Sequence, residues 1–382
     1  MTIDRERLAE TFTMLCEIDS PSRRERRIAE KLKEIFTGFG PEEAIEDDSA
    51  RETGSECGNL VFRFSGAAGK RPLFFNCHMD TVEPGVGVRV KRSGDLFTSA
   101  GDTVLGSDDK SGIAALIEAM RVIREQGLDH APVEFLFTTC EEIGLLGAKA
   151  LDPGLIRARE GYALDSSGFG RVIIGAPASN RLRFTVRGVA AHAGLHPEWG
   201  INAIALAALA ISRCPSGRID PESTVNLGTI HGGTASNIVP AEVVIEGEVR
   251  SHSEQRLEEL TCRLGNIFRE TVAEWHDPGG EARGRPGLEV DVQADFPLMR
   301  LSRRDPVVRR VEQAAAAIDM TLRPEIAGGG SDANIFNGYG LQTAIIATGM
   351  RHVHSTDEEI SLHDMEELTR LLIALLTDGI TG

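Results

Sequence analysis

Two different patterns of apolar residues divide this chain, and their order limits the folds it can adopt. In the first half, apolar runs such as PLFFNC (72–77) and VEFLFTT (133–139) alternate with helical segments such as 111–127. Such alternation is typical of a parallel β-sheet flanked by helices. After Pro177 the strands alternate polar and apolar residues by twos, and beyond Pro297 the first pattern returns. The sequence therefore predicts an α/β domain built from both ends of the chain.

The segment between the two ends is predicted to form a second, smaller domain. We place the catalytic domain at residues 1–177 and 296–382, and an inserted α+β satellite domain at 178–295, with a four-stranded sheet and two helices. At 382 residues, two domains are the default expectation. The open edges of the small sheet and the Ala- and Ile-rich helix 201–212 favour a homodimer through this dimerisation or lid domain. Other helices of the catalytic domain are expected at 4–17, 22–38, 145–158, 305–319 and 364–378.

Composition excludes several classes of partner. The formal net charge of −17 argues against nucleic acid and against an anionic membrane, because both are bound through clustered Lys and Arg. The chain start has no apolar signal segment, and the most apolar stretch, 203–211, is too short to span a bilayer. The six cysteines are scattered without a CxxC pair, as in reduced cytosolic proteins. We therefore expect a cytoplasmic protein.

Candidate metal ligands follow the predicted strands at the points where the strands end. Because the carboxyl ends of parallel strands share one edge of a sheet, groups that are far apart in the sequence are expected to converge there. Each short motif taken alone has a common structural explanation, such as a charged first turn of a helix for DDK. Their shared placement favours a functional site. The candidates are His78, Asp80, Asp108, Glu141, Glu142, Asp165 and His354.

These residue types match the requirements of a pair of zinc ions. Zinc binds imidazole nitrogen and carboxylate oxygen, and two ions close together need a bridging carboxylate. If Asp108 is the bridge, one ion can bind His78 and Asp165 and the other Glu142 and His354. Spacing alone does not choose between Asp108 and the adjacent Asp109. Nor does it choose between His354 and His352, which lies two residues earlier.

The remaining two acids have predicted supporting roles. Adjacent residues of an extended segment project to opposite sides, so that Glu142 can face the metal while Glu141 faces the attacking water as general base. Asp80 lies two residues after His78 and can accept a hydrogen bond from the imidazole nitrogen that does not bind metal.

Nine segments resemble one enzyme family, the co-catalytic zinc metallopeptidases that include peptidase T, glutamate carboxypeptidase, aminoacylase and succinyl-diaminopimelate desuccinylase. EEIGLLGA and GGGSDAN look most like the peptidase T branch. The resemblance spans residues 76–359 in the order of the family. The segments are NCHMDTV, GSDDKSG, TTCEEIGLLGA, YALD, GVAAHAGLHPEWGINAI, ASNIVP, EGEVRS, GGGSDANIF and GMRHVHSTDEEI.

The resemblance implies specific roles. It selects Asp108 over Asp109, as the acid two places before the Lys, and His354 over His352, as the one followed by STDEE. It implies that Glu141 is the base and that Asp80 supports His78. It implies the metal ligands His78, Asp108, Glu142, Asp165 and His354.

The resemblance also suggests a substrate shell. His192 would donate to the developing oxyanion, within its own subunit or across a dimer, and Asn237 and Arg250 would hold the free carboxylate of the substrate. Gly329 and Ser331 would line the same pocket.

The sequence thus predicts a metal-dependent exopeptidase that hydrolyses small peptides, with two Zn²⁺ per subunit; Mn²⁺ or Co²⁺ would suit the same mixed ligands. An N-acyl-amino-acid amidohydrolase or a carboxypeptidase of the same family is the alternative. Two rivals are a zinc aminopeptidase, which would not need the inserted domain, and a non-catalytic descendant that binds peptides. The descendant would have lost a ligand or the base, whereas this chain has the whole set.

Overall fold

The computed structural model describes residues 2–377 and divides the chain into two compact units. The borders lie after Gly175 and after Leu298, so that the second unit is Ala176–Leu298 and the first unit comes from both ends of the chain. The insertion predicted at 178–295 thus begins two residues later and ends three residues earlier than this unit. Residue 378, the last of the predicted terminal helix, lies outside the described residues.

Helices and strands are named in chain order within residues 2–377. The helices are α1 (Arg5–Cys16), α2 (Arg26–Gly38), α3 (Ala50–Thr53), α4 (Ser107–Glu125), α5 (Leu146–Ala150), α6 (Ala203–Arg213), α7 (Glu254–Ala273), α8 (Pro306–Ala316), α9 (Asp332–Gly338) and α10 (Leu362–Thr377). The strands are β1 (Glu43–Glu46), β2 (Leu60–Phe64), β3 (Leu73–His78), β4 (Val90–Ser93), β5 (Leu96–Ser99), β6 (Val133–Thr138), β7 (Glu160–Ala163), β8 (Arg171–Ala176), β9 (Ala178–Arg187), β10 (Gly217–Asp220), β11 (Ser223–Gly232), β12 (Glu242–Ser251), β13 (Gly287–Phe296), β14 (Met299–Arg300), β15 (Arg323–Ile326), β16 (Gln342–Ile346) and β17 (Glu359–Ser361).

A large sheet forms the centre of the first unit. Its strand order is β1-β2-β6-β3-β7-β16-β8-β14, with β15 beside β8. The central strands β6, β3, β7 and β16 run parallel, whereas β1, β2 and β8 are attached antiparallel. The predicted α/β fold with a mostly parallel sheet is confirmed.

Helices cover both faces of this sheet because neighbouring residues of a strand point to opposite sides. Phe75 of β3 stacks at 6.1 Å from Phe135 of β6, on the face that α2 covers through Phe36. Phe74 points the other way and meets Phe336 of α9 at 5.8 Å. Gly161 of β7 makes room for Phe74, since a Cβ there would lie 2.3 Å from its ring.

The second unit has its own sheet and its own core. Two helices, α6 and α7, pack on the sheet through residues such as Leu206 and Phe268, and Phe184 of β9 stacks on Phe268 at 4.0 Å. Within the described residues the strand order is β10-β11-β12-β9-β13. The prediction of four strands was therefore wrong by one. Strand β10 was missed because its sequence, GRID, has one apolar residue and pairs on one side only.

One further expectation for the first unit was wrong, and one strand of its sheet was not expected. The helix predicted at 145–158 is reduced to α5 and a 3₁₀ turn, Pro153–Leu155, in which Asp152 accepts a hydrogen bond from Gly154. Proline cannot continue the helix, so the pattern ends there. Strand β2 was not expected because Arg63 interrupts its apolar run; the structure buries this side chain and pairs it with Glu134 at 2.7 Å.

No helix between residues 2 and 377 is long and apolar enough to cross a membrane.

Candidate metal centre and active site

The carboxyl edge of the parallel strands carries the predicted ligands. His78 is the last residue of β3, Asp165 comes two residues after β7, and Glu141 and Glu142 follow β6. Asp108 lies in the first turn of α4, which enters from a left-handed Gly106 (φ 77°). All of these residues belong to the first unit.

Asp108 lies between the two candidate histidines. Its Oδ1 is 3.0 Å from Nε2 of His78, and its Oδ2 is 3.3 Å from Nε2 of His354. Nε2 of His354 is also 3.1 Å from Oε1 of Glu142. Each carboxylate oxygen of Asp108 therefore faces a different imidazole, which is the arrangement that a bridging ligand requires.

Two sets of ligand atoms share Asp108. His78, Asp108 and Asp165 offer atoms that all lie within 4.8 Å of one another, and so do Asp108, Glu142 and His354. A third such group contains His78, Glu141 and Glu142. The structure thus brings together every predicted ligand, and Glu141 reaches the same place.

The two adjacent glutamates do not project to opposite sides as expected. Their carboxylates both come within 4.8 Å of His78, because the chain is not extended after β6. Cys140 has a left-handed backbone (φ 54°), and the carbonyl of Glu141 accepts hydrogen bonds from Gly144 and Leu145 in a tight turn.

Asp80 holds this turn in place. Its Oδ1 accepts a hydrogen bond from the main-chain N–H of Glu141 (2.9 Å), and its Oδ2 accepts from Glu142 N–H (3.2 Å) and from the Ser22 hydroxyl (2.6 Å). The closest acceptor for Nδ1 of His78 is the main-chain carbonyl of Asp80 at 2.9 Å, whereas the Asp80 carboxylate is 3.6 Å away. Asp80 therefore supports both the imidazole and the glutamate turn.

Crowding of buried acids dominates the electrostatics of the site. Burial, together with the neighbouring charge of Asp108, raises the pKa of Asp165 to about 8. Burial and the charge of Asp165 raise the pKa of Glu141 well above its usual range, and burial also raises that of Glu142. Contacts with Asp108 and Glu142 raise the pKa of His354 to about 10.

The two aspartates of the DDK motif differ in the direction in which the structure shifts their pKa values. Burial works to raise the pKa of Asp108, but hydrogen bonds from His354 and His78 outweigh it and hold that pKa below its usual range. Burial raises the pKa of Asp109 well above its usual range, and the neighbouring Cys77 thiol offsets this only in part. Asp108 is therefore the anion of the pair, and Asp109 is favoured as the neutral acid.

This set of donors fits a pair of divalent cations. Clustered carboxylates whose pKa values are raised by burial and mutual repulsion are stabilised as anions when cations lie among them. The mixture of imidazole and carboxylate suits zinc and is accepted by several other divalent metals. Because imidazole binds metal only when neutral, cations would displace the protons that the contacts with Asp108 favour.

Three residues of the predicted substrate shell lie in the second unit. His192 and Asn237 are exposed on neighbouring segments, joined by a hydrogen bond from Ala193 N–H to the Asn237 carbonyl (2.9 Å). Arg250 of β12 is half-buried, and its Nη2 is paired with Glu248 at 3.0 Å.

The other two predicted shell residues lie in the first unit. Gly329 is exposed on the loop before α9, while Ser331 is buried and caps that helix by accepting a hydrogen bond from Ala333 N–H (3.3 Å). The next residue, Asp332, was not singled out from the sequence. It is buried, accepts a hydrogen bond from Thr138 at the end of β6, and has a pKa raised by burial to about 6.

Glu358 is the second residue that sequence reasoning missed. It is buried, and it binds the segment that leads into Asp108. Its position in the STDEE sequence after His354 was the available signal.

The fold and the site together define the chain as a metal-dependent hydrolase. A sequence model described as "Peptidase family M20/M25/M40" matches residues 74–378, which is most of the chain. The chain belongs to this peptidase family, and it is a metal-dependent exopeptidase that hydrolyses peptide bonds.

Several relatives are similar over almost the full length. The protein YqjE of Bacillus subtilis is 38% identical, covering 99% of both chains. The crystal structure of aminopeptidase PepT from Bacillus cereus has a TM-score of 0.87 at 38% identity, covering 98% of this chain and 99% of that one. A tripeptidase from Staphylococcus aureus has a TM-score of 0.91 at 33% identity, covering 99% of both. The resemblance to the peptidase T branch is confirmed.

Proposed function

We propose that this protein is a dinuclear zinc exopeptidase that removes residues from short peptides, with tripeptides as its main substrates. The observation that carries the proposal is the placement of Asp108, whose two carboxylate oxygens face the imidazoles of His78 and His354. The names of the two similar solved structures, an aminopeptidase and a tripeptidase, support peptides as the substrate class. The protein would work in the cytoplasm, since Cys16, Cys57, Cys77 and Cys140 are buried free thiols.

The metal ligands divide into two sets around the bridge. His78 and Asp165 would bind one ion, Glu142 and His354 the other, and Asp108 both; manganese or cobalt would fit the same donors. When bound, the ions lower the pKa of water to about 7 and polarise the scissile carbonyl.

The residues of the chain carry out the proton transfers. Glu141 is buried, and its carboxylate lies within 4.8 Å of ligand atoms of both His78 and Glu142. It accepts the proton of the attacking water and passes it to the leaving amine. Asp80 keeps the Glu141 main chain fixed while the proton moves.

The proposed substrate contacts follow from the resemblance to the family. His192 would donate to the oxyanion, and Asn237 and Arg250 would bind the free carboxylate of the peptide. Gly329 and Ser331 would contact the substrate as well. A second copy of the chain would associate through the second unit, where α6 exposes Ile204 (42%) and Leu209 (47%).

Replacing each of the two adjacent glutamates in turn tests the assignment of the base. Glu141→Gln should bind two zinc ions with near wild-type affinity and keep the fold, yet lose turnover by about 10²–10⁴-fold, because only the proton acceptor is removed. Glu142→Gln, the matched control, should lose metal content instead. Metal analysis and peptide hydrolysis of the two variants decide the question, and substantial turnover by Glu141→Gln would refute the proposal.

A comparison of free-acid with amide-capped tripeptides tests the role of Arg250. Arg250→Ala should raise KM for the free-acid peptide about 10-fold or more and leave the poor KM for the capped peptide almost unchanged, because only the free acid offers a carboxylate. Arg183→Ala is the control, since Arg183 is an exposed residue of the same sheet that pairs with Glu246. Equal losses with both peptides would contradict a carboxylate contact.

A further inference from the structure

Glu358 is a buried carboxylate with four donors, all from one short segment. Its Oε2 accepts hydrogen bonds from the main-chain N–H of Leu105 (2.8 Å) and Gly106 (2.9 Å). Its Oε1 accepts from the Ser107 hydroxyl (2.6 Å) and from Asp108 N–H (3.1 Å). The residue is 1% exposed, so water does not compete for these donors.

The segment that carries Glu358 also carries His354. Arg351 and Glu359 exchange two main-chain hydrogen bonds of 2.9 and 3.1 Å, which closes the loop between them. Inside the loop, Glu358 N–H donates to the Ser355 carbonyl at 3.2 Å. His354 has a left-handed backbone (φ 60°), a conformation that a residue with a side chain keeps only when its surroundings hold it.

The contacts of Glu358 join the two loops that meet at the metal centre. One loop ends in Asp108 and the other presents His354, and their side chains are 3.3 Å apart. In the described chain the Glu358 carboxylate accepts all four of these hydrogen bonds and donates none. A neutral amide of the same shape would turn its NH₂ group toward two of them and lose those bonds.

We propose that Glu358 is a positioning residue that sets the separation of Asp108 and His354, and so determines the affinity for the ion that these two residues share. The inference rests on the proposed dinuclear function. Residues that orient metal ligands in this way typically change metal affinity about 10- to 100-fold when they are replaced.

Glu358→Gln and Glu359→Gln form a matched pair for the test. Glu359 is the adjacent acid, and its side chain faces Arg351 at 3.6 Å. In a competition titration with a chromophoric chelator, Zn²⁺ alone serves as the probe and two dissociation constants are resolved. Glu358→Gln should raise one of them about 10- to 100-fold, and Glu359→Gln should match the wild type. At limiting Zn²⁺ the kcat of Glu358→Gln should fall and recover with excess Zn²⁺, with KM unchanged.

Ser107→Ala keeps the test decisive if Glu358→Gln does not fold. It removes one of the four donors and should give a smaller rise in the same dissociation constant. If the wild type binds two ions and Glu358→Gln, or in its place Ser107→Ala, binds both as tightly, the positioning role is wrong and the proposed function stands. A wild type that binds fewer than two ions overturns both proposals.

Discussion

Among the single residues, Glu25 is a buried acid that contributes to the site although it is not a proposed ligand. Its Oε1 accepts hydrogen bonds from the main-chain N–H of Arg23 (2.9 Å) and Cys140 (3.0 Å), and its Oε2 accepts from the Ser55 hydroxyl (2.6 Å). Cys140 directly precedes the proposed base. Burial, and to a smaller extent the charge of Asp80, raises the pKa of Glu25.

The raised pKa of Glu25 predicts a pH dependence of stability. The unfolded chain has a Glu pKa of about 4.3, so the contribution of Glu25 is complete below that pH and is lost as the pH rises through the folded pKa. Glu25→Gln keeps one acceptor oxygen and can donate to Ser55. Its stability relative to wild type should therefore increase across this window, by at most about 1.4 kcal/mol per pH unit.

Urea unfolding of both proteins at a series of pH values, in chelator, measures this difference. Glu30→Gln is the control, because Glu30 is exposed on α2, the helix that begins directly after Glu25, and its curve should run parallel to that of the wild type. Parallel curves for Glu25→Gln and wild type would mean that Glu25 does not titrate differently in the folded state.

The sequence predicted which residues are candidate ligands better than it predicted the contacts that these residues make. Strand ends and residue types identified His78 and Asp165, but spacing could not choose between Asp108 and Asp109. The choice depends on burial and on which carboxylate meets the imidazoles, and both depend on how α4 packs. Glu358 was missed for the same reason, since its partners lie about 250 residues away.

Among the secondary-structure elements, helix α4 packs closely on the sheet because it has a glycine at the contact. A Cβ on Gly112 would lie 2.7 Å from Asp109 Oδ1, 2.7 Å from Leu164 Cβ and 2.9 Å from Cys77 Sγ. Gly112→Ala should destabilise the protein: overpacking costs about 1–3 kcal/mol, whereas the better helix propensity of Ala contributes about 1 kcal/mol. The displaced helix should also weaken metal binding, since it carries Asp108.

Gly38→Ala is the control for this substitution. Gly38 is exposed at the end of α2, and a Cβ there meets nothing within 4 Å, so propensity alone acts and stability should rise by up to about 1 kcal/mol. Denaturant unfolding and Zn²⁺ titration of both variants provide the measurement. A stabilised Gly112→Ala would show that α4 does not need the close approach.

Elements with uniform apolar runs were predicted well, and elements whose pattern is interrupted were not. Strands β3 and β6 are buried throughout, so their apolar runs identify them. Strand β2 contains Arg63, whose burial depends on Glu134 of another strand, and β10 is a short edge strand. Such elements are stabilised by tertiary partners that the local sequence does not show.

At the scale of the whole molecule, each unit has a separate hydrophobic core, and every proposed metal ligand belongs to the first. The two aromatic chromophores are divided in the same way. Both tryptophans of the chain, Trp199 and Trp275, lie in the second unit, and both tyrosines, Tyr162 and Tyr339, lie in the first. Trp199 stacks on His196 at 3.6 Å, whereas Tyr162 is fully buried, so each unit has an optical probe that unfolding will change.

This division predicts that metal removal acts on one unit alone. A ligand present at 100 times its dissociation constant stabilises the fold that binds it by about 2.7 kcal/mol. Chelator should therefore lower the Tm followed by the tyrosine band in second-derivative near-ultraviolet absorbance, which separates it from tryptophan. The Tm followed by tryptophan fluorescence, excited at wavelengths that tyrosine does not absorb, should stay within error. Glu142→Gln, which lacks a proposed ligand, should already have the lower tyrosine transition and respond less to chelator. Equal shifts of both signals would mean that the two units unfold together or that the second unit also contributes to metal binding.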